Sequence, residues 1–477
     1  MSTNRAIAHN TAIQMIGKAI STMLGLVAMA MLMRYLPTEQ FGWYVTTIGF
    51  LGFVGILIDF GLIPVTAQML SAQPERKQEL VSNLLGLRIT TAGFFLLLTP
   101  LISFLLPYPT EVHIAIAISC ISFFCISVNQ IFTGYFQTKM QMIVPVIGEF
   151  VSRITLVTGL ALGICFSTPF LGIMSIITLA GVMYTLIMGI IFYKDKILHL
   201  AWNMPVWREI ALQSWPITVA VLFNVVYLRS DTVILSLFRD QVEVGIYGAA
   251  YRVIDIIAQT ALMIMGIMLP LLTSAYTKRL TNEFHDRFSQ SVSIMALLGL
   301  PMVAGLLMLG HPIIEFIGGT RYNESGTILQ ILALALLGIF LGSIFGHMAV
   351  ATNTQHKTLW IYALTAVLTL TGYFVMIPRF GIYGAAWMSV FSEWLTGILL
   401  CLSLIYFTKE HIEWTPLIKI ICATLGMSAM IYFTRPYLHI ILLIPLAMAV
   451  YTGLILLLRV VKKETLQELL PLQKTTL

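Results

Sequence analysis

Positively charged side chains occur inside three long apolar stretches of this sequence. Arg88, Arg153 and Arg252 each lie within a mostly hydrophobic run long enough to cross a bilayer. A charged group at membrane depth is costly, so such residues usually face a bundle interior or a water-filled cavity. Because guanidinium groups fork onto phosphate oxygens, this set could hold an anion such as a diphosphate. Arg252, near the end of its run, could instead extend to the lipid head groups.

Acidic side chains occur at similar depth. They are Asp59, Asp231, Asp255 and Glu393. A buried carboxyl group either protonates or takes up a cation, so these four are candidates for binding coupling protons or sodium ions. Glu149 precedes Arg153 by four residues, the favourable order for an ion pair on one helix face. That pair either packs helices by neutralising itself or opens to receive a substrate charge. We therefore count Glu149 among the candidate substrate-binding residues.

Several motifs of catalysis and energy coupling are missing. The sequence has no Gly-x4-Gly-Lys-Ser/Thr phosphate loop, no His-Glu-x-x-His and no Gly-x-Ser-x-Gly. The five cysteines lie in apolar stretches without the spacing of a metal site. His311, with Glu315 and Arg321, is better interpreted as part of a short turn than as a catalytic group. We expect no catalytic residue, metal or cofactor, and any driving force to come from protons or sodium ions.

The composition indicates that these residues belong to a membrane protein. Of 477 residues, 58% are hydrophobic and 10% are charged, and mean hydropathy is +0.91. Soluble domains carry about 25% charged residues. The net charge of +6 is typical of basic loops on the cytoplasmic side rather than of nucleic-acid binding. The predicted fold is therefore an all-α integral membrane protein.

The apolar windows predict about fourteen transmembrane helices. Their spans are 11–34, 43–70, 80–106, 112–137, 143–166, 170–192, 210–237, 248–276, 288–310, 326–352, 358–377, 381–407, 415–433 and 438–460. We expect a six-helix bundle in 1–192, a cytoplasmic linker in 193–209 and a second six-helix bundle in 210–407. An additional helix pair and a cytoplasmic tail would occupy 408–477. Most Lys and Arg residues fall in segments on one side, which predicts that both termini are cytoplasmic.

A short repeat supports an internal duplication. Gly-Ile-Tyr-Gly-Ala-Ala occurs at 245–250 and again at 381–386, each time opening a helix from the predicted outer side. Phe-Gly-Trp-Tyr at 41–44 has the same Gly-x-Tyr core in the equivalent place. Small residues let helix backbones approach closely, and tyrosine suits the membrane interface. Transporters are often built from such repeats with the binding site between them.

The order of several motifs resembles the bacterial polysaccharide flippases, the O-antigen and lipid-linked oligosaccharide type of the multidrug/oligosaccharidyl-lipid/polysaccharide exporter superfamily. The resemblance runs from about residue 5 to 405. It rests on Arg34-Tyr-Leu-Pro-Thr-Glu-Gln-Phe-Gly-Trp-Tyr44, Asp59-Phe-Gly-Leu62, Gly134-Tyr-Phe-Gln-Thr-Lys-Met140, the segment from Asp231 to Arg252, and Ile377-Pro-Arg-Phe-Gly-Ile-Tyr-Gly-Ala-Ala386. Leu-Pro-Thr at 36–38 departs from the Leu-Gly-Pro usual in the family.

The resemblance implies alternating access by two bundles in a bacterial inner membrane. The implied substrate is an undecaprenyl-diphosphate-linked oligosaccharide, for O-antigen or a related surface polysaccharide, moved from the inner to the outer leaflet. Membrane lipid, a polysaccharide polymerase and a chain-length regulator are the implied partners. Two alternatives stay open. One is a proton- or sodium-coupled multidrug antiporter of the same superfamily, and the other is a membrane glycan polymerase or ligase.

Overall fold

The computed structural model of the chain describes residues 3–59, 69–70, 73–139, 141–194 and 200–460. For residues 3–13, 15–16, 56–57, 59, 74 and 213–228 it describes the backbone alone. Throughout these ranges the regular secondary structure is helical, without a strand. Eleven of the helices described are long and apolar enough to span a membrane. The predicted class, an all-α membrane protein, is confirmed.

The described part of the chain forms fourteen α-helices, the predicted number. In order they are α1 Thr3–Tyr35, α2 Thr38–Asp59, α3 Lys77–Ser103, α4 Thr110–Thr138, α5 Ile143–Cys165, α6 Phe170–Lys194, α7 Met204–Phe238, α8 Gln241–Thr277, α9 Thr281–Gly318, α10 Asn323–Ala351, α11 and α12 within Gln355–Thr408, α13 Trp414–Thr434 and α14 Ile440–Leu457. Single 3-10 turns, Pro74–Arg76 and Thr320–Tyr322, precede α3 and α10.

Two helices meet without a loop at Gly381. The run Gln355–Thr408 divides there into α11 (355–380) and α12 (382–408), because Gly381 has φ +57° and ψ −135°. Glycine adopts this backbone region at little cost, whereas a residue with a Cβ is strained in it. Pro378 lies three residues earlier and lacks the N–H that would continue the helical ladder. The predicted boundary between the eleventh and twelfth spans is therefore a sharp kink.

Parts of the predicted linker, 193–209, belong to the neighbouring helices. Helix α7 begins at Met204, so residues 204–209 are helical. Pro205 lies in the first turn of α7, where its missing N–H has no intrahelical partner to lose. Just before α7, the Asn203 backbone N–H donates to the Asn83 side chain at 2.9 Å, which attaches the segment to α3. Residues 195–199 and the predicted tail, 461–477, lie outside the described residues.

The chain forms two compact units. Unit 1 comprises Met1–Ala249, Ile317–Arg321 and Ala366–Ala385, and unit 2 comprises Ala250–Phe316, Tyr322–Thr365 and Ala386–Leu477. In unit 1 an aromatic core of Tyr135, Phe136 and Phe192 is fully buried. In unit 2 small apolar clusters pack α9 against α13 and α14. The bundle boundaries expected from the repeat, 1–192 and 210–407, stay a prediction.

Candidate functional site

Arg88 is completely buried inside unit 1. It lies on α3, and its guanidinium donates to the Ile58 carbonyl oxygen of α2 and, at 2.8 Å, to the Gln130 side-chain oxygen of α4. Ile58 is buried in the adjacent apolar cluster, as is Ala92, which lies one turn after Arg88 on α3. One cationic side chain thus joins three helices. For Arg88 to touch a substrate, these helices must first part, and its predicted diphosphate-binding role stays a prediction.

Arg153 and Glu149 are accessible in a way that Arg88 is not. On α5 they form the predicted i,i+4 ion pair at 3.7 Å, with 38% and 28% of their side chains exposed. The Arg153 guanidinium lies over Gly25 of α1, where a side chain would touch it. Because the pair is long and partly exposed, little free energy is needed to separate it. This geometry leaves the guanidinium able to exchange Glu149 for another anion.

Asp231, one of the predicted acidic residues, is buried and hydrogen-bonded in unit 1. It is 1% exposed, near the end of α7. The Tyr247 hydroxyl of α8 donates to its Oδ2 at 2.6 Å, and the Thr232 backbone N–H donates to Oδ1 at 2.6 Å. Tyr247 is the tyrosine of the first Gly-x-Tyr repeat and is fully buried. Sequence reasoning selected Asp231 but missed Tyr247, although the two-residue turn between α7 and α8 brings them together.

The remaining predicted residues lie elsewhere. In unit 2, Arg252 and Asp255 are half-buried on α8, and Glu393 is buried on α12. Asp59 is the last residue of α2, and its side chain lies outside the description. Since the candidate residues are divided between two units, a clamp built from all three arginines stays a prediction.

Three Gly-x-Tyr turns pack together at the predicted outer end of unit 1. A Cβ on Gly42 would overlap the Gln241 carbonyl oxygen, and one on Gly245 would overlap the Thr38 carbonyl oxygen. The third turn adjoins the second, since Gly381 lies against the Arg239 and Glu243 side chains. We call the turns at Gly42, Gly245 and Gly381 the glycine clasp. Such close backbone contact is possible because these positions carry no side chain.

Polar contacts reinforce the glycine clasp. Thr46 donates to the Gln241 side-chain oxygen at 2.6 Å, and both residues are buried. Arg239 donates to the carbonyl oxygens of Ile377 and Pro378, each at 3.2 Å. These contacts join α2, α8 and the end of α11. The clasp therefore connects segments from both of the bundles that the sequence predicts.

Two further arginines tie the same end together. Arg34 donates to the Ile317 carbonyl oxygen at 3.1 Å, and Arg321 donates to the Leu36 carbonyl oxygen at 3.3 Å. The contacts are reciprocal, because each segment supplies one arginine and one acceptor. Arg321 thus has a structural contact rather than the catalytic environment considered for the His311 turn. His311 itself contacts the Asn323 and Thr327 side chains.

The Asp231–Tyr247 hydrogen bond is expected to contribute measurably to the stability of unit 1. Tyr247→Phe should lower the free energy of unfolding by about 1.5–3 kcal/mol, the usual contribution of a hydrogen bond to a charged group. Asp231→Asn should cost a similar amount, and the double variant less than the sum. Thermal unfolding in detergent measures all three. Additive effects of the two substitutions would show that the residues do not interact.

Unit 2 contains an apolar cavity of about 580 Å³. Helices α8, α9, α13 and α14 supply its walls, mostly through Leu, Ile and Met side chains. Tyr451 at its edge donates to the Leu297 carbonyl oxygen at 2.7 Å. Walls of this kind accept hydrocarbon rather than a charged group. None of the described candidate site residues lines the cavity.

Comparison with known proteins identifies relatives in polysaccharide biosynthesis. The chain is 26% identical over 219 residues to the capsular polysaccharide biosynthesis protein CapF of Staphylococcus aureus, covering 46% of this chain and 54% of CapF. It is 22% identical over 229 residues to the probable low-salt glycan biosynthesis flippase Agl15 of Haloferax volcanii, covering 48% of each. The matches thus span about half the length of these relatives.

Solved structures share the fold over most of the chain. Lipid II flippase MurJ in an inward closed conformation matches with a TM-score of 0.74 and 16% identity, covering 92% of this chain and 97% of MurJ. An inward-facing multidrug resistance transporter of the MATE family matches with a TM-score of 0.65 and 12% identity, covering 84% of this chain and 98% of that one. The chain thus shares its fold with these two proteins. The family model described as polysaccharide biosynthesis protein matches residues 7–276, more than half of the sequence, so this chain belongs to that family.

Proposed function

We propose that this protein is a secondary transporter that flips undecaprenyl-diphosphate-linked oligosaccharide from the inner to the outer leaflet. Family membership points to surface polysaccharide synthesis, and the fold points to transport. The observation that carries the proposal is Arg88, a guanidinium buried among the transmembrane helices of such a fold and held by a carbonyl and an amide oxygen. Ionisable side chains at this depth often mark the path of a substrate or ion.

The glycine clasp fits alternating access. It joins segments of both predicted bundles at the predicted outer end, which is where a transporter that accepts cargo from the cytoplasm must be closed. Opening of the clasp would require the backbones at Gly42, Gly245 and Gly381 to separate. We infer that the clasp is the outer gate, and that the structure represents its closed state.

The proposal also includes a coupling ion, a membrane location and partner proteins. Asp231, Asp255 and Glu393 are the described carboxyl groups that could carry protons or sodium ions, and Asp231 lies next to the clasp. The protein would act in a bacterial inner membrane with both termini in the cytoplasm. It would deliver the flipped oligosaccharide to a polysaccharide polymerase and its chain-length regulator. It would not itself be an enzyme. The alternative of a drug antiporter draws on the MATE neighbour, whose TM-score is the lower of the two.

Deletion of the gene tests the proposed function in the organism that carries it. We expect surface polysaccharide to disappear and the lipid-linked oligosaccharide to accumulate on the cytoplasmic leaflet, because synthesis continues while translocation stops. Immunoblotting of surface glycan and thin-layer chromatography of extracted lipids measure the two effects. Restored glycan on plasmid complementation is the control. Unchanged surface glycan together with increased sensitivity to cationic drugs would instead favour the antiporter.

A further inference from the structure

Two lysine side chains converge on one tyrosine in unit 1. The ammonium nitrogens of Lys77 and Lys139 lie 5.0 Å and 4.9 Å from the centroid of the Tyr135 ring. The two nitrogens are therefore no farther apart than the sum of these distances. Two positive charges within about 10 Å of each other both attract an anion placed near the ring. Such convergence is typical of a site for a negatively charged group.

The platform beneath the lysines is rigid. Tyr135 and Phe192 are fully buried, and their rings pack edge to face with centroids 4.9 Å apart. The Lys77 ammonium also donates to the Thr138 hydroxyl at 2.8 Å, and that hydroxyl donates to the Tyr135 carbonyl oxygen at 2.8 Å. The position of the Lys77 charge is therefore fixed before any ligand arrives, which lowers the entropy lost on binding.

The neighbouring carboxylates are engaged with another cation. Arg76 contacts Glu79 at 2.9 Å and Glu209 at 3.3 Å, so its guanidinium offsets one of these two negative charges. Helix α3 begins at Lys77 without a side-chain hydrogen bond from its N-cap residue Arg76. The first N–H groups of α3 and the positive end of its dipole thus add to the potential at the lysines.

We propose that Lys77 and Lys139, held on Tyr135, bind the anionic phosphate of a lipid head group at the predicted cytoplasmic surface. Both lysines stand at helix ends, Lys77 opening α3 and Lys139 following α4, and both are half-exposed. Helix ends of a membrane protein lie at head-group depth, and lysine binds phosphate as a point charge. The phosphate comes either from a bulk anionic phospholipid or from a polyprenyl diphosphate. The binding site does not depend on the proposed transport function.

Native mass spectrometry of the purified full-length protein tests this site. The probes are phosphatidylglycerol, undecaprenyl diphosphate and the zwitterionic phosphatidylcholine, each titrated in detergent at low salt. Replacing both lysines, Lys77→Gln with Lys139→Gln, should weaken binding of the anionic lipids about thirtyfold, from roughly fivefold per basic residue near a membrane surface. Phosphatidylcholine binding should not change. Lys77→Arg with Lys139→Arg should retain binding, because the charges remain.

Lys357 offers a matched control, since its ammonium lies over a single ring, that of Phe407, at 5.1 Å. Lys357→Gln should leave binding of the anionic lipids unchanged.

Preference for the diphosphate by tenfold or more would identify a site that collects the cargo, and equal binding would identify a bulk-lipid site. Both results support phosphate recognition. Wild-type affinity in the double Gln variant, or in Lys139→Gln alone if the double variant does not fold, would overturn the proposal. Lysine-dependent lipid binding by a wild-type protein that does not flip the lipid-linked oligosaccharide would count against the proposed function alone.

Discussion

Arg88→Gln is expected to reduce transport of the lipid-linked oligosaccharide about 100-fold while the protein still inserts into the membrane. If the guanidinium makes two charge-assisted hydrogen bonds to the diphosphate during translocation, about 1.5 kcal/mol is lost with each. Arg88→Lys should also be strongly impaired, because an ammonium group lacks the planar, bidentate geometry with which guanidinium binds phosphate. Surface glycan measured in cells that express each variant at equal amounts gives the comparison.

Arg88 also has a structural contact that needs its own control. Gln130→Ala removes one of its two described partners and leaves the charge in place. If Arg88 acts on cargo, Gln130→Ala should retain most transport even where its melting temperature falls. Arg435→Gln, at an exposed arginine, should be neutral. Equal loss of transport in Arg88→Gln and Gln130→Ala, in proportion to lost stability, would show that Arg88 serves packing alone.

Gly42→Ala is expected to prevent closure of the glycine clasp and thereby to stop transport. The added methyl group would overlap the Gln241 carbonyl oxygen, and a backbone atom cannot move aside by changing rotamer. Overpacking of this kind costs about 3 kcal/mol or more, which lowers the population of the closed state relative to the open state by about 100-fold. Val45→Cys, buried beside Gly248, provides a reporter in a background without the native cysteines. Its labelling by a maleimide should become much faster when Gly42 is replaced.

A matched glycine exists on the same helix. Gly52 of α2 faces open space, so Gly52→Ala meets no atom and gains helix propensity of about 1 kcal/mol. We expect Gly52→Ala to transport normally and to label slowly at Val45→Cys. Normal transport by Gly42→Ala, with no change in labelling, would refute the view that the clasp must close during the cycle.

The sequence predicted the helices and their faces well, because both depend on local patterns. Hydropathy and loop residues placed the fourteen spans, and even the boundary at Gly381 came from the repeat. Helical spacing placed Glu149 and Arg153 on one face of α5, and the structure pairs them there at 3.7 Å. A period of 3.6 residues carries this information within one helix.

Partners across helices were not predictable in the same way. Gln130 accepts a hydrogen bond from Arg88 on another helix, but it was not among the candidate residues. The contact between Gly42 and Gln241 depends on two turns far apart in the chain, and nothing in either turn specifies the other. The partners of Arg88 were likewise not predicted, because residue type gives the cost of burying a charge but not which oxygens compensate it.

Flipping in vesicles tests the central claim most directly. Purified protein is reconstituted into liposomes with a fluorescent undecaprenyl-diphosphate-linked oligosaccharide, and movement between leaflets is followed by a membrane-impermeant quencher. The proposed function predicts that the protein makes the lipid-linked sugar accessible to the quencher. The rate of this exposure should fall about 100-fold in Arg88→Gln and stay unchanged in Gly52→Ala. A flipping rate equal to that of protein-free liposomes, from protein that is folded and inserted, would contradict the proposal.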